Sequence, residues 1–249
     1  MLSRFVKVGV ALTALLLLAA IQVAHASGPY TGYRNLETPF SWTSIYLGGA
    51  LGFGIGDNAV TFSDGQPVPM VLGVEGLSSR SWQGKARAGA DWQIGKSMFV
   101  IGVWGEYSKG LGTDDGFNVT ITGPGQVLTA NIEPQFAGGV RAGVALTPTT
   151  LFYAGYGYGR GNFNMNINAP GVCGAGALNC DQNINGRVIK IGIEQAIASQ
   201  ITIGIEYGRT DWDKVQLLPV AAAPASLHVE PVGHEVMLHV NWRPQLGLF

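Results

Sequence analysis

The stretch that decides the fold is QNINGRVIKIGIEQAIASQITIGIEYGRTDWD, from Gln182 to Asp213. Isoleucine alternates with charged residues, glycine or threonine at 189, 191 and 193, and again at 201, 203 and 205. The short segment Ala198-Ser199-Gln200 separates the two halves. Because side chains of a β-strand point to alternate faces, this pattern predicts two strands joined by a tight turn, each with one apolar and one polar face.

The N-terminal residues have the composition of a secretory signal peptide. Arg4 and Lys7 give a positive start, residues 8–20 are apolar, and Ala24-His25-Ala26 is an A-x-A cleavage site. The apolar run is short for a membrane anchor, and no stop-transfer pattern follows it. The expected organisation is a signal peptide over residues 1–26, an N-terminal lead over 27–43 and one domain over 44–249.

The composition suits a surface that does not face water everywhere. Charged residues make up 12% of the chain, about half the usual share for soluble domains, and glycine occurs 37 times. The net charge of −1 gives no electrostatic reason to expect nucleic-acid binding. Two cysteines are too few for a disulfide scaffold.

Eight strand candidates can be placed along the chain, and the connections between them alternate strictly in length. The strand candidates are residues 45–56, 81–94, 98–108, 132–146, 151–161, 183–197, 201–210 and 229–243. The short connections are 95–97, 147–150 and 198–200, and the long ones are 57–80, 109–131, 162–182 and 211–228. Short periplasmic turns and long outer loops are typical of outer-membrane barrels. We therefore predict an all-β fold, an eight-stranded antiparallel up-and-down transmembrane β-barrel of the outer membrane over residues 44–249. The lead over 27–43 is then expected to be periplasmic.

Segments spread over nearly the whole mature chain resemble the small OmpA-like outer-membrane barrels of α-proteobacteria. They are SWTSIYLGGALGFGIG (41–56), KARAGADWQIG (85–95), VRAGVAL (140–146), LFYAGYGYGRG (151–161), IKIGIEQAI with ITIGIEYGR (189–197 and 201–209), and HVNWR (239–243). The resemblance implies an abundant envelope or surface protein and supplies no catalytic residues. The family usually closes with an aromatic residue after the arginine, where this chain has Pro244. The terminal assembly signal is therefore either Trp242 or Phe249.

The inward parity of the predicted strands carries eight charged residues, four of each sign. They are Lys85, Arg87, Asp91, Glu106, Arg141, Lys190, Glu194 and Glu206. Eight strands make a lumen just wide enough for side chains to fill, and buried charges must be paired there. The set therefore predicts a salt-bridged structural plug. The alternative is a narrow or gated ion path.

Three further arginines occupy the loop-side ends of neighbouring strands. Arg187 and Arg209 have lipid-facing parity, and Arg160 shares it if Tyr156 and Tyr158 face outward. Guanidinium groups pair well with phosphate, so the three suggest a contact with lipopolysaccharide phosphates. The competing interpretation is ordinary charges at the membrane boundary that snorkel to water.

The remaining reactive residues give weaker indications. Cys173 and Cys180 share one long loop, and in the oxidising envelope a local disulfide is expected. Four residues cluster near the last strand, namely His228, His234, Glu235 and His239. A lipid-modifying enzyme would need a serine held by a histidine and an acid, and the parity of the strands shows no outward-facing triad. Haem or metal binding by the histidines is equally unsupported.

The resulting prediction is a monomeric outer-membrane barrel with a structural or surface-interaction role, and not an enzyme. That role comprises envelope integrity, lipopolysaccharide contact and adhesion through the four long loops. The expected partners are outer-membrane lipid, the barrel-assembly machinery and host or surface ligands, with no cofactor and no metal. A small porin-like channel is the alternative, and a lipid-modifying barrel enzyme comes third.

Overall fold

A computed structural model describes most of the chain after residue 39. The described residues are 40–63, 71–95, 97–111, 117–119, 128–167, 181–217 and 226–244. Every described residue belongs to one compact unit, Phe40–Phe249. The expected signal peptide, Cys173, Cys180 and Phe249 lie outside the described residues.

The described chain is built from ten β-strands. They are β1 (Ser44–Ser63), β2 (Val71–Gln93), β3 (Phe99–Gly110), β4 (Phe117–Val119), β5 (Leu128–Thr147), β6 (Thr150–Ile167), β7 (Asp181–Ala198), β8 (Ile201–Trp212), β9 (Val215–Gln216) and β10 (Ser226–Trp242). Within the described ranges, no helix has the length and apolar character needed to cross a membrane.

Eight long strands close into an antiparallel barrel. Each long strand pairs with the next along the chain, and β1 pairs with β10 from Leu47 opposite Trp242 to Ser63 opposite Ser226. The short strands extend the wall at the loop end, where β4 pairs with β5 and β9 with β10. Closure leaves no unpaired edge among the eight long strands, which is what a strand structure in lipid requires. The predicted fold is therefore confirmed.

Alternation along each strand separates an exposed apolar wall from a filled interior. In β7, Ile189 and Ile191 are exposed, while Val188, Lys190 and Glu194 are buried. β6 settles the strand whose parity the sequence left ambiguous, because Phe152, Tyr156 and Tyr158 are exposed and Tyr153 is buried. Isoleucine and tyrosine on the outside and charge on the inside is the arrangement expected for a barrel in lipid.

The strands extend further at the loop end than the alternation indicates. β1 continues to Ser63, β2 begins at Val71 and β6 continues to Ile167. The connection predicted over 57–80 is therefore wrong for most of its length, because both of its flanks are paired strand. Beyond the lipid neither face must be apolar, so the alternation fades, although backbone groups still gain from continuing the ladder.

Glycines make room for the large inward side chains. A Cβ on Gly204 would lie 2.4 Å from Nε2 of His239, and one on Gly192 would lie 2.6 Å from the hydroxyl oxygen of Tyr153. The glycine in each case is on the strand next to the large side chain. Such a close approach is possible only without a side chain, which explains glycine at these inward positions of a narrow barrel.

Candidate functional site

All eight charged residues predicted for the lumen lie on the inner face. Their side chains are almost completely screened from solvent, with Glu194 at 0% exposure and Lys190 at 2%. The structure sorts them into two groups, one toward the loops and one toward the turns. It also adds two charged residues that the sequence interpretation left out of the set, Glu235 and Arg243.

The loop-side cluster contains three cations and three carboxylates. Its members are Lys85, Arg87, Glu106, Lys190, Glu206 and Glu235. Lys85 Nζ lies 2.7 Å from Glu106 Oε1 and 2.5 Å from Glu235 Oε1. Lys190 bridges Glu106 and Glu206, and its Nζ is 3.1 Å from Glu206 Oε1. The two lysines and the three carboxylates thus form a continuous chain of ion pairs across the lumen.

Glu206 is the most heavily coordinated carboxylate of the loop-side cluster. Arg87 Nη2 donates to its Oε2 at 3.1 Å, and the Tyr153 hydroxyl donates to the same oxygen at 2.7 Å. Lys190 occupies the other oxygen. Because the group is 1% exposed, these donors replace the water that an ionised carboxylate would otherwise bind.

The turn-side cluster contains two arginines and two carboxylates, Asp91, Arg141, Glu194 and Arg243. Two nitrogens of the Arg141 guanidinium group donate hydrogen bonds to the Asp91 carboxylate, with Nε 2.7 Å from Oδ1. Arg243 spans both carboxylates, with Nη1 2.8 Å from Asp91 Oδ2 and Nη2 2.9 Å from Glu194 Oε1. Planar guanidinium forks suit such shared, bidentate contacts.

Neutral donors and the barrel ends complete the turn-side cluster. Thr202 Oγ1 and Asn241 Nδ2 donate to Glu194 Oε1 at 2.5 and 3.0 Å. Arg243 Nη1 also donates to the Ser44 hydroxyl at 3.2 Å. Since Ser44 begins β1 and Arg243 follows β10, this contact lies at the seam where the barrel closes.

Aromatic rings cover the buried cations. Arg141 lies 4.6 Å from the centroid of Tyr46 and 4.9 Å from that of Tyr153. Arg243 stacks at 5.1 Å on Trp42, and Lys190 Nζ is 4.2 Å from the ring of Trp104. Cation–π contacts of this kind offset part of the desolvation cost where no water reaches the charge.

Apolar side chains lie on either side of the charged layer. Toward the turns, the end of the expected N-terminal lead enters the barrel, and Phe40 and Trp42 pack with Val100, Leu151 and Ala196. Toward the loops, buried apolar residues occupy the inward positions, namely Phe163, Ile184, Val215, Leu217 and Val229. The described interior is therefore a balanced set of charges between two apolar layers.

His239 is one of several buried polar side chains that have unpartnered atoms among the described residues, together with Trp42, Tyr46, Gln83 and Asn241. It is 2% exposed, and neither ring nitrogen has a hydrogen-bond partner among the described residues. The Nε atom of Arg87 is likewise buried and has no hydrogen-bond partner among the described residues. A buried polar group of this kind is normally satisfied by an internal water molecule.

The two missed charges had a detectable signal. Glu235 and Arg243 have the same parity as Met237, His239 and Asn241, which are buried. The sequence groups Glu235 with the histidines near the last strand and places Arg243 in the closing segment HVNWR. Glu235 lies within β10 and Arg243 directly follows it, so the inward parity of this strand, continued one residue past Trp242, identifies both.

The three outer arginines lie exposed on adjacent strands. Arg160 is opposite Asn185 in the β6–β7 pairing, and Arg187 is opposite Asp211 in the β7–β8 pairing. Arg209 forms an ion pair with Asp211, with Nη2 2.7 Å from Oδ1. The structure thus brings the three together on the outer face and adds an acid that the sequence interpretation did not consider. Contact with lipid stays a prediction.

The outer-face histidine has a neighbour that parity did not reveal. His234 Nδ1 lies 2.7 Å from the Tyr207 hydroxyl, and the two rings stack at 6.1 Å. No group of three or more potential metal ligands occurs among the described His, Cys, Asp and Glu side chains.

Comparison with known proteins identifies the family. The model of the outer membrane protein beta-barrel domain matches residues 11–243. Solved structures with a similar fold include OprG of Pseudomonas aeruginosa (11% identity, 84% of this chain and 100% of that chain, TM-score 0.47) and the neisserial surface protein NspA (11%, 78% and 99%, 0.41). The outer membrane protease OmpT of Escherichia coli is also similar (6%, 84% and 100%, 0.44).

Likenesses this distant carry no information about activity, and no curated protein matches the chain. The family match covers more than nine-tenths of the sequence and agrees with the closed eight-stranded fold and the exposed apolar wall. The chain therefore belongs to the outer membrane protein beta-barrel domain family and is a transmembrane β-barrel of the bacterial outer membrane.

Proposed function

We propose that this protein is a structural barrel with a closed lumen, and that it serves the envelope through its wall and its loop-side surface rather than by transport. The observation that carries the proposal is the layered interior. Ten charged side chains of the interior pair with one another, and apolar side chains lie above and below them. An ion entering this interior would have to displace paired charges and cross both apolar layers, each at a large desolvation cost.

The loop-side surface supports the interaction part of the proposal. β1 and β2 stay paired to Ser63 and Val71, well beyond the predicted end of the first strand at residue 56. A paired ribbon is a firm base for loops that contact other molecules. We expect the protein to support the envelope and to take part in adhesion through its loops. We also expect the barrel-assembly machinery to insert it as a monomer, and the protein to be related to the small OmpA-like barrels of α-proteobacteria.

Planar-bilayer recording tests the closed lumen. Purified wild-type protein and the Glu106→Gln variant are reconstituted separately, because Glu106 links both lysines of the loop-side cluster. We expect no steady conductance from the wild type and at most brief openings from the variant. Steady wild-type conductance that the substitution abolishes would refute the proposal and establish the small porin-like channel.

An exposed threonine gives the recording a matched control. Thr147 lies in the turn region outside both clusters, where its hydroxyl contacts Thr150. A Thr147→Val variant removes a hydroxyl without touching an interior charge, so its traces should match those of the wild type. Openings of equal frequency in this variant would mean that the Glu106 result reflects reconstitution damage.

The third candidate is a lipid-modifying enzyme, for which the Tyr207–His234 pair is the specific observation. His234 contacts a phenol there, whereas acyl transfer of the usual kind needs a serine next to the histidine. Our proposal assigns no catalytic role. Incubation with lipid A should leave its acyl-chain pattern unchanged, and a change that His234→Asn abolishes would establish the enzyme.

A further inference from the structure

The three outer arginines lie at similar heights on the barrel wall. Arg160 is ten residues from the turn-side end of β6 (150 to 160), Arg187 eleven from that of β7 (198 to 187) and Arg209 eight from that of β8 (201 to 209). With a rise of about 3.3 Å per residue and a tilt of about 40°, ten residues climb roughly 25 Å. An outer-membrane barrel has an apolar band of about that height.

The wall changes character at this height. The outward residues just below the arginines are Tyr158, Ile189 and Tyr207, and those just above are Asn162, Asn185 and Asp211. Tyr158 and Ile189 are 62% and 48% exposed, as expected of side chains that face lipid. The arginines therefore mark the boundary between hydrocarbon and head groups on the side that carries the long loops.

Exposed cations of the described wall all lie at the loop end. They are Arg80, Lys109, Arg160, Arg187, Arg209 and Lys214. The described turn-side ends of the strands present no exposed lysine or arginine. Long loops face the outside of the cell in this class of barrel, so the cations face the outer leaflet.

The pairing register places the three arginines on a diagonal ladder. Arg187 is two residues from Asn185, the partner of Arg160, and Arg209 is two residues from Asp211, the partner of Arg187. Diagonal neighbours on adjacent strands lie about 7–8 Å apart. Two long guanidinium side chains can converge over such a distance on one tetrahedral phosphate, donating to its oxygens in pairs.

Asp211 is an acidic residue that reduces the positive charge of this group of arginines. It pairs with Arg209 in a contact that is largely exposed, 48% for the arginine and 38% for the acid. Exposed pairs of this kind are weak and exchange readily. Arg160 and Arg187 form no ion pair with any described residue, so they are the arginines that offer free donors.

We propose that Arg160, Arg187 and Arg209 form a binding site for the phosphate groups of the phosphorylated glycolipid in the outer leaflet. This inference rests on the proposed function and deepens its surface role, because it names the ligand class of the outer wall. The exposed isoleucines and tyrosines below the ladder contact the acyl chains of the same lipid. A guanidinium ladder at the head-group level and an apolar wall beneath it together match one amphipathic molecule.

Native mass spectrometry of the purified protein in detergent tests the site. The probes are diphosphoryl lipid A, monophosphoryl lipid A and inorganic phosphate. Wild-type protein should retain the diphosphoryl form most strongly. The double variant Arg160→Ala/Arg187→Ala should bind it at least about tenfold more weakly, since each charge-assisted contact contributes a factor of this order. Asp211→Asn should bind it more tightly than the wild type.

A control of equal charge separates a site from general attraction. Arg80→Ala/Lys109→Ala removes two exposed cations from β2 and β3, where Lys109 is opposite Gly84, four residues from Arg80. Its affinity should change less than about threefold. An equal loss in this control, or no loss in the Arg160→Ala/Arg187→Ala variant, would overturn the proposal.

Two further results bear on the ligand and on the fold. Inorganic phosphate that binds as tightly as lipid A, with the same dependence on the arginines, would replace the lipid site by a free-anion site and overturn the proposal. Heat-modifiable migration in gels verifies that each variant is folded. The lipid result is independent of conductance, so a conducting barrel that keeps arginine-dependent lipid retention would refute only the closed lumen.

Discussion

The two charged clusters of the interior both compensate buried charges, but they do so with different side chains and contacts. The turn-side cluster uses two arginines, each held by two carboxylates, and the side chains of Asp91, Glu194 and Arg243 are 0% exposed. The loop-side cluster relies on the lysines Lys85 and Lys190, which share carboxylates through single contacts. Its outermost member, Glu235, is 13% exposed.

This difference between the arginine contacts and the lysine contacts indicates which end of the barrel is held more rigidly. Guanidinium forks fix both distance and orientation, whereas an ammonium group is a compact charge on a flexible stem. The rigid cluster lies at the seam, where Arg243 contacts Ser44 of β1 and the ring of Trp42. The adaptable cluster lies toward the loops, away from that closure. We infer that the turn-side cluster contributes more to the stability of the closed barrel.

The largest expected effect comes from breaking the turn-side cluster. Arg243→Met leaves Asp91 and Glu194 with less positive charge than the ionised pair needs, so the free energy of unfolding should fall by roughly 3–5 kcal/mol. Urea unfolding in lipid vesicles, followed by tryptophan fluorescence, measures it.

Lys214→Met is the matched control for that substitution. It removes the same charge from an exposed pair with Glu230, 69% and 46% exposed, and should cost about 1 kcal/mol or less. Equal losses in the two variants would contradict the structural role of Arg243.

A smaller effect is expected from crowding the neutral donors of the same cluster. Gly48 is opposite Asn241, and a Cβ there would lie 2.3 Å from Asn241 Oδ1 and 2.3 Å from the carbonyl oxygen of Val240. Gly48→Ala should therefore destabilise the barrel by about 1–3 kcal/mol, measured by the same unfolding assay.

The adjacent Gly49 serves as the control for this comparison. A Cβ at Gly49 meets nothing closer than the carbonyl oxygen of Lys85 at 3.6 Å, an ordinary contact. Gly49→Ala should be neutral or slightly stabilising, because alanine loses less backbone entropy than glycine on folding. A loss as large as that of Gly48→Ala would show that strand propensity, rather than interior space, sets the cost.

The smallest effect is expected at the outer edge of the loop-side cluster. Glu235→Gln removes one of the two carboxylates that contact Lys85, while Glu106 keeps the other contact at 2.7 Å. The retained partner and the partial exposure of Glu235 limit the expected loss to about 1 kcal/mol, read from the same urea titration. A loss approaching that of Arg243→Met would mean that the two clusters are equally rigid.

Much of the fold could be predicted because lipid imposes a simple rule on each strand. The alternation in 189–197 and 201–209 already separated the outer isoleucines from the inner charges, and the connection lengths indicated eight crossings. The strand ends could not be predicted, because Ser63 and Val71 lie where neither face has to be apolar. Cross-strand pairing extends these strands, and pairing depends on the neighbour rather than on local composition.

The sequence predicts which residues belong to the site, but it does not predict which of them pair with one another. Period-two parity assigned Lys85 to the interior, but its contact with Glu235 joins residues 150 positions apart. Arg160, Arg187 and Arg209 were likewise assigned to one wall, while the pairing of Arg209 with Asp211 was not. By itself the sequence determined which face each side chain occupies, because that depends only on strand geometry and the surrounding lipid. Only the closed barrel decided which charges meet, because register, stagger and curvature bring together strands that are distant in the chain.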